Sequence, residues 1–524
     1  MDNSKKVAKH QGIVLFYKYF LAPLPQLNAT DVEKTESTLQ QLCYESSLKG
    51  RILLAKEGIN GTLSGPDTGT LQAFCARLEE AEPLLHDIDW KFSDNASEKE
   101  PFPDLKIAIV REIVSTGNTI TLDDIPQYGG NHLTPEEFHI ALKGDGEKQT
   151  VVIDVRNTFE YNIGHFVPPE ASFEETLVLN PEMVTFASFN GFCDKNAEYL
   201  KDKKVLMYCT GGIRCEKASA MLTKRGVEDV NQLQGGIHRY VEQFGDHGYF
   251  QGKNFVFDQR VALDASDNKQ IVGQCIYCKT KFDKISGNRI CTVCRDLVLV
   301  CDECQKTHRE YHCKLHLDWK DCYFTFLEVY ASDELKKQLS GLKVLAESDL
   351  SRNTKRTLRK QISKLEQRMK DLENGSAQID RDAHRRCRTC REPDLICDGL
   401  CWGFWKAHSS TYAEISGTKS DGSLPTIQIG QKVKPGPDWN PIRLGAPKRY
   451  KSGIVIQVKS WSGEAQNCVV VVWDDEACSD RDDNEDSCRG VEIARSRANA
   501  QIYRFGVMAK DGKPKYDVVV DNGM

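Results

Sequence analysis

A multidomain chain mixing α/β and α+β architecture is predicted by three features. Buried-strand runs alternate with helix-like stretches between residues 133 and 244, cysteines recur in close pairs between 275 and 316, and strand-rich sequence closes the chain after 423. Length agrees: 524 residues lead one to expect three or four domains, and 40% apolar with 28% charged residues is ordinary globular composition. The pattern divides into residues 1–125, 126–250, 251–325, 326–416 and 417–524. No run of eighteen apolar residues occurs and the start MDNSKKVAKHQ lacks an apolar signal core, which predicts a cytoplasmic protein without a membrane span. The net charge of −6 names no partner, but it conceals blocks of opposite sign.

Residues 1–125 open on the strand-like run GIVLFYKYF (12–20), followed by the helix-like DVEKTESTLQQLCYES (31–46) with Asp31 as N-cap. Two strand-like runs across 51–63 turn at Gly58 and Gly61. A second helix over 70–85 and a strand near 107–110 complete a split β-α-β unit of ferredoxin type. Cys43 and Cys75 fall in the helices as packing residues.

In residues 126–250, TPEEFHIAL (134–142) begins with a capping box closed by Glu137, and VVIDVR (151–156) is the continuous apolar run of a buried parallel strand. The chemistry concentrates in CTGGIRCEK (209–217), between the strand-like KKVLMY and the helix-like KASAMLTKR. A loop closing onto a helix N-terminus points N–H groups inward, and Gly211 and Gly212 allow backbone angles that a side chain forbids. Thr210, Gly211, Gly212 and Ile213 thus form an anion cradle around Cys209. These donors, with Arg214 and the helix dipole, are expected to lower the Cys209 pKa from about 8.5 into the range of about 3.5–7.5. The spacing C-x4-R is one residue tighter than the C-x5-R ring with which phosphatases enclose phosphate, which favours sulfur or oxygen chemistry. Cys215 lies six residues on, past the cradle, as a resolving thiol or a packed one. The strand ends at Asp154 and Cys209 face one crevice, where open α/β sheets place ligands.

Residues 251–325 carry four ligand pairs of metal-binding spacing: Cys275 and Cys278, Cys291 and Cys294, Cys301 and Cys304, Cys313 and His316. Eight ligands suffice for two tetrahedral zinc ions, wired either as pairs one and three with two and four, or as neighbours. His308, His312 and Cys322 are spare candidates. The segment lacks the Cys-x-His step and the terminal C-x2-C of a RING domain.

Residues 326–416 are helical and charged. Leu358, Ile362, Leu365, Met369 and Leu372 repeat at spacings of four and three, and Leu335, Leu339 and Leu342 begin an earlier stripe, which together predict a helical hairpin. Between 352 and 391, thirteen Lys or Arg face five Asp or Glu, a surplus suited to an RNA backbone or to a solvated helix face. Cys387, Cys390, Cys397 and Cys401 offer a third zinc site, and WGFWKAH (402–408) supplies aromatics for packing or base stacking.

Three blocks resemble a rhodanese domain: DVRNTFEYNIGHF (154–166), the 209–214 loop and QGGIHRY (234–240). ILLAKEGINGTLSG (52–65), FPDLKIAIVREIVSTG (102–117) and FVFDQRVAL (255–263) are similar to the rhodanese-containing tRNA uridine hydroxylases, a likeness over roughly residues 12–320. The resemblance implies an acylphosphatase-like first domain and an oxidoreductase that 5-hydroxylates the wobble uridine of tRNA. Molecular oxygen is then the co-substrate and Cys209 is essential. Asp154, Arg156, Glu160 and His165 match the family's first block; Asp154 and Arg156 would shape the crevice, and His165 would be a hydrogen-bonded turn residue. The residues alone fit a thiosulfate or persulfide sulfurtransferase equally well.

The last segment resembles the Mind-bomb/Herc module, an SH3-like β-barrel, through KVKPGPDWN (432–440), SGIVIQV (452–458), CVVVVWDD (468–475), YRFG (503–506) and PKYDVVV (514–520). It departs from that family in an insertion over about 476–501, opened by an acidic run, and in a missing second tryptophan. Such modules bind protein partners in ubiquitin ligases, so a ubiquitin-pathway or scaffolding protein is a third class.

Overall fold

The computed structural model describes residues 11–401, apart from 25–26, 96–99, 145, 173–174, 266–269, 349, 351, 393–396, 398 and 400, and beyond them the backbone of six strands between 432 and 520. The chain divides into two units, Met1–Lys406 and Ala407–Met524.

The first sheet is built from β1 (Gln11–Tyr19), β2 (Lys49–Ala55), β3 (Gly58–Gly65), β4 (Lys91–Asn95) and β5 (Leu105–Ile109), in the order β4-β1-β3-β2-β5. Helices α1 (Ala29–Glu45) and α2 (Thr68–Ala81) cover one face, packing Leu39, Leu71, Phe74 and Leu78 against Val14, Phe16 and Ile52. Alternate β1 residues point the other way, and Tyr19 joins the core of the second sheet. Both faces of β1 are therefore covered, which is why its middle, Ile13 to Tyr17, is an unbroken apolar and aromatic run.

Three expectations change here. Asn28, not Asp31, caps α1: its side chain accepts from the Thr30 and Asp31 N–H groups at 2.8 and 3.0 Å, while Asp31 accepts from the Asn28 N–H in return. Gly61 lies inside β3, where a Cβ would stand 2.5 Å from the Phe16 ring; only Gly58 adjoins the turn, paired with Ala55. The fourth strand of the unit is Lys91–Asn95 beside β1, and the expected strand near 107–110 is instead Leu105–Ile109, added parallel to β2 at the sheet edge.

The second sheet is wholly parallel. After α3 (Asp124–Tyr128) come β6 (Asn131–Leu133), α4 (Pro135–Ala141), β7 (Thr150–Asp154), α5 (Thr158–Tyr161), β8 (Gly164–Phe166) and β9 (Thr176–Leu179). Then follow α6 (Phe189–Leu200), β10 (Lys204–Tyr208), α7 (Ile213–Thr223), β11 (Val230–Leu233) and α8 (Gly236–Phe244). The strand order is β6-β11-β10-β7-β9. Val151, Ile153, Val205 and Met207 pack against α6 and α7, while Val152, Leu206 and Tyr208 pack against α4 and α8. Residues buried on both faces produce the unbroken apolar runs of β7 and β10.

β12 (Phe250–Phe255) pairs with β8 and with β13 (Ala262–Asp264), and leads into the cysteine-rich segment, which contains α9 (Asp302–Thr307). Next comes the hairpin α10 (Ser332–Glu347) and α11 (Arg352–Glu373), whose expected leucine stripes meet in one core with Trp319, Phe326 and Val329.

In the second unit the described strands are β14 (Lys432–Pro435), β15 (Tyr450–Trp461), β16 (Glu464–Asp475), β17 (Gln501–Met508), β18 (Pro514–Tyr516) and β19 (Val518–Val520). They form an antiparallel meander in which β19 returns to pair with β14. The distinctive Gly436–Trp439 stretch, the acidic insertion and the aromatic run 402–408 lie outside the described residues. No helix of the described residues is long and apolar enough to cross a membrane.

Candidate active site and cysteine clusters

Register places Tyr208 opposite Asp154, so the C-terminal ends of β10 and β7 adjoin. The chain leaves β10 at Cys209 and turns into α7 through Gly212, whose φ of +103° favours glycine. The Gly212 N–H donates to the Cys209 Sγ at 3.1 Å. Two N–H groups of α8 clamp the loop from behind: Ile237 donates to the Cys209 carbonyl at 3.0 Å and His238 to that of Thr210 at 3.1 Å. Gly236 explains the paired glycines of QGGIHRY, because a Cβ there would stand 2.6 Å from the Cys209 carbonyl.

Burial pushes the Cys209 thiol up. A hydrogen bond from Cys215, the Arg214 charge and the Arg214 and Gly212 N–H groups outweigh it and bring the pKa to about 6. Cys215 is buried in the first turn of α7; burial and the neighbouring sulfur hold it well above the thiol range, so it remains a protonated donor. Contact with Cys209 corrects the expectation that it lies past the cradle.

Arg214 does not aim freely into the loop. Its guanidinium is gripped by Glu160 at 2.8 and 2.9 Å, a partner the sequence reading left without a role. Asp154 and Arg156 pair with each other at 2.7 Å, both fully buried, and Arg156 also donates to the Gly164 carbonyl at 2.6 Å. His165 hydrogen-bonds the Tyr161 carbonyl at 3.0 Å and stacks on the Tyr161 ring, but it sits in β8 opposite Gln251 rather than in a turn.

The opposite wall comes from the first sheet. A Cβ on Gly211 would meet Leu15 at 3.2 Å and one on Gly212 would meet the Tyr17 hydroxyl at 2.8 Å. Tyr17 donates to Glu216 at 3.2 Å and Tyr19 to the Ile213 carbonyl at 3.2 Å. Lys91, 1% exposed, pairs with Asp89 at 2.6 Å and lies over the Tyr17 ring, and Asp89 in turn holds Arg239 of α8 at 2.5 Å. Lys217, fully buried, bonds Glu57 at 2.9 Å, Glu112 at 3.1 Å and the Val114 carbonyl at 3.1 Å. Two buried polar atoms beside the loop have no partner among the described residues: the Thr210 hydroxyl and the His238 Nδ1. Burial pushes His238 down to about 4, so its ring is neutral.

The twelve candidate metal ligands assemble into three groups of four, each with its ligand atoms within 4.8 Å of one another. Cys275, Cys278, Cys301 and Cys304 form one and Cys291, Cys294, Cys313 and His316 another, which settles the wiring as interleaved. Cys387, Cys390, Cys397 and Cys401 form the third. One turn recurs in all of them. The residue after the second cysteine is left-handed (Lys279 φ +63°, Arg295 +64°, Arg391 +67°), and its N–H donates to the carbonyl of the first cysteine at 3.1, 2.9 and 3.0 Å. The N–H of that first cysteine donates to Thr280, Asp296 or Glu392 at 2.9, 2.7 and 2.8 Å. These knuckles gather four ligand atoms in each group closely enough that they could hold a metal ion. The spare candidates are engaged elsewhere: His308 with the Cys304 carbonyl, His312 with the Tyr323 carbonyl and Cys322 with the Trp319 carbonyl.

Fold and loop thus define a rhodanese-type α/β domain with an activated cysteine, joined to an N-terminal domain and a cysteine-rich tail. The same three parts are found by family comparison: the UPF0176 acylphosphatase-like domain matches residues 12–113, the rhodanese-like domain 134–243 and the Rhodanase C-terminal family 251–316. A tRNA uridine(34) hydroxylase of Pseudarthrobacter chlorophenolicus is 36% identical over 310 residues, 57% of this chain and 96% of that protein; another, of Corynebacterium efficiens, is 34% identical over 58% of this chain and 92% of its own length. Rhodanese-like domain-containing protein 6 of Arabidopsis thaliana is 37% identical, with a match spanning about half of it, 52%. The chain belongs to the tRNA uridine(34) hydroxylase family.

Proposed function

We propose that this chain hydroxylates C5 of the wobble uridine of tRNA in the cytoplasm, with Cys209 as the catalytic residue. The observation that carries the reading is a cysteine brought to about 6 on a rhodanese loop that is walled by the N-terminal domain. The UPF0176 acylphosphatase-like and rhodanese-like families match these two parts. Thr210, Gly211, Gly212 and Ile213 shape the loop that steadies negative charge at the sulfur, and Arg214 adds positive charge fixed by Glu160. Asp154 and Arg156 hold the loop's base, and Cys215 donates to Cys209. Molecular oxygen is the co-substrate. The unpartnered Thr210 hydroxyl and His238 ring are the groups free to meet the polar edge of uracil.

The surrounding parts follow. The strand order β4-β1-β3-β2, with α1 and α2 on one face, supports a ferredoxin-like reading of the first domain. Each of the three cysteine clusters holds a structural zinc. In the second unit, the return of β19 to β14 supports an SH3-like barrel of Mind-bomb/Herc type that captures a protein partner.

The decisive experiment replaces Cys209 with Ala and measures modified wobble uridines by mass spectrometry of tRNA nucleosides from cells that depend on this protein. Loss of 5-hydroxyuridine derivatives with an unchanged melting temperature is expected. Full hydroxylation by Cys209→Ala would overturn the assignment. Sulfur transfer from thiosulfate without hydroxylation in the wild type would assign the loop to a sulfurtransferase. Truncation after about Ser423 should leave hydroxylation measurable and remove the partner.

A further inference from the structure

The surplus of positive charge between residues 352 and 391 divides in two. Its later part is consumed internally: Arg381 pairs with Glu334 at 3.2 Å, Arg386 with Asp380 at 2.8 Å, and Arg388 stacks on Tyr311 at 3.7 Å while donating to the Arg309 carbonyl at 2.7 Å. On α11 the reverse holds. Arg352, Arg356, Arg359, Lys360, Lys364 and Lys370 are exposed, and none forms an ion pair among the described residues. At 3.6 residues per turn these six fall within an arc of roughly 140° and extend along ~27 Å of helix. The buried residues Leu358, Gln361 and Leu365 occupy the opposite side.

The companion helix shows that this is not a property of the hairpin as a whole. α10 carries three basic residues and three acidic ones, whereas α11 carries eight basic residues and three acidic ones. The cationic face is also firmly mounted. Gln361 donates to the Phe324 carbonyl at 2.7 Å, and Leu358 and Leu365 share a core with Trp319 and Phe326, at the end of the cysteine-rich segment. The third cysteine cluster closes the hairpin's return, with the Gly287 N–H bonded to the Gly399 carbonyl at 2.9 Å. The hairpin and the third cluster follow residue 316, the last residue matched by a family description.

We propose that this face of α11 binds the phosphodiester backbone of tRNA, adding to the Cys209 crevice a second grip at a distance from the wobble base. The inference rests on tRNA being the substrate. Lysines and arginines neutralise phosphates without reading bases, so the grip is indifferent to tRNA sequence and weakens steeply with salt.

The test is filter binding of total tRNA to the full chain across a range of salt, comparing wild type with the quadruple variant R356Q/R359Q/K360Q/K364Q. Affinity at about 0.15 M salt should fall on the order of 100-fold, and the slope of log affinity against log salt should shrink by about 3. A control variant on α10, K336Q/K337Q, should bind as the wild type does. Unchanged melting temperature and zinc content establish that the quadruple variant is folded. Equal affinity and equal slope in folded wild type and quadruple variant would overturn the proposal, including the case in which α11 serves an acidic protein or an anionic membrane. Because the readout is binding, it separates this inference from the assigned reaction: a wild type that binds tRNA through α11 but never hydroxylates it would sink only the reaction.

Discussion

Cys209 and Cys387 are held by similar turns in different surroundings. Each sulfur accepts a backbone N–H a few residues ahead, from Gly212 at 3.1 Å and from Thr389 at 3.3 Å. The difference lies in the neighbours. Around Cys387 three further thiols stand within 4.8 Å, a set that could hold a metal ion. Around Cys209 stand one protonated thiol and one guanidinium, itself balanced by Glu160, which leaves a single thiolate stable without metal and open to reaction. An amide-lined turn makes a sulfur anionic; the groups beyond the turn decide what that anion does.

Metal removal should separate the two regions most sharply. Zinc sites in small modules contribute about 10–16 kcal/mol of apparent binding free energy, so stripping the protein with a chelator should unfold the segment from 275 to 401 and release close to three zinc ions per chain. The Cys209 loop, built on a parallel sheet, should survive. Limited proteolysis with elemental analysis checks both halves, and a chelated protein that keeps its protease resistance across 275–401 would break the contrast.

A smaller effect is expected from Glu160→Ala, which leaves Arg214 buried without its carboxylate. Removing one partner of such a pair costs about 3–5 kcal/mol, measurable as a lower urea midpoint. Unchanged stability would mean that the guanidinium finds water instead.

The finest test concerns Cys215. Cys209 titrates near pH 6, so kcat/KM for hydroxylation should fall as pH drops through that value and the thiolate is protonated. Cys215→Ala removes a donor to the thiolate and should move this acid limb upward by about 1–2 pH units, the effect of a hydrogen bond to a charged group. An acid limb that stays in place would show that Cys215 merely packs.

Local chemistry was legible in the sequence where partners are close. Capping of α4 by Thr134 and Glu137, the leucine stripes of the hairpin and the C-x2-C knuckles all depend on residues three or four apart. The glycine loop around Cys209 was legible for the same reason. What escaped depends on distance. Glu160 meets Arg214 across 54 positions, Tyr17 meets Glu216 across 199, and no period links them. β4 was missed because KFSDN has little apolar content; it is a strand because β1 needs a neighbour on that edge. Asn28 and Asp31 are both capping residue types, and only the backbone reveals that Asn28 is the one that stands outside the helix.

Lys217 gives α7 an unusual dependence. This ammonium, three residues past Arg214, has no solvent exposure and finds its anions in Glu57 and Glu112, which belong to the N-terminal domain. A rhodanese domain excised from this chain would carry a bare cation in the middle of an apolar helix face, beside Ala218 and Met221. The two folds are therefore inherited as one object: a graft of the cysteine domain alone into another scaffold would have to replace Lys217 before it could be expected to hold the loop.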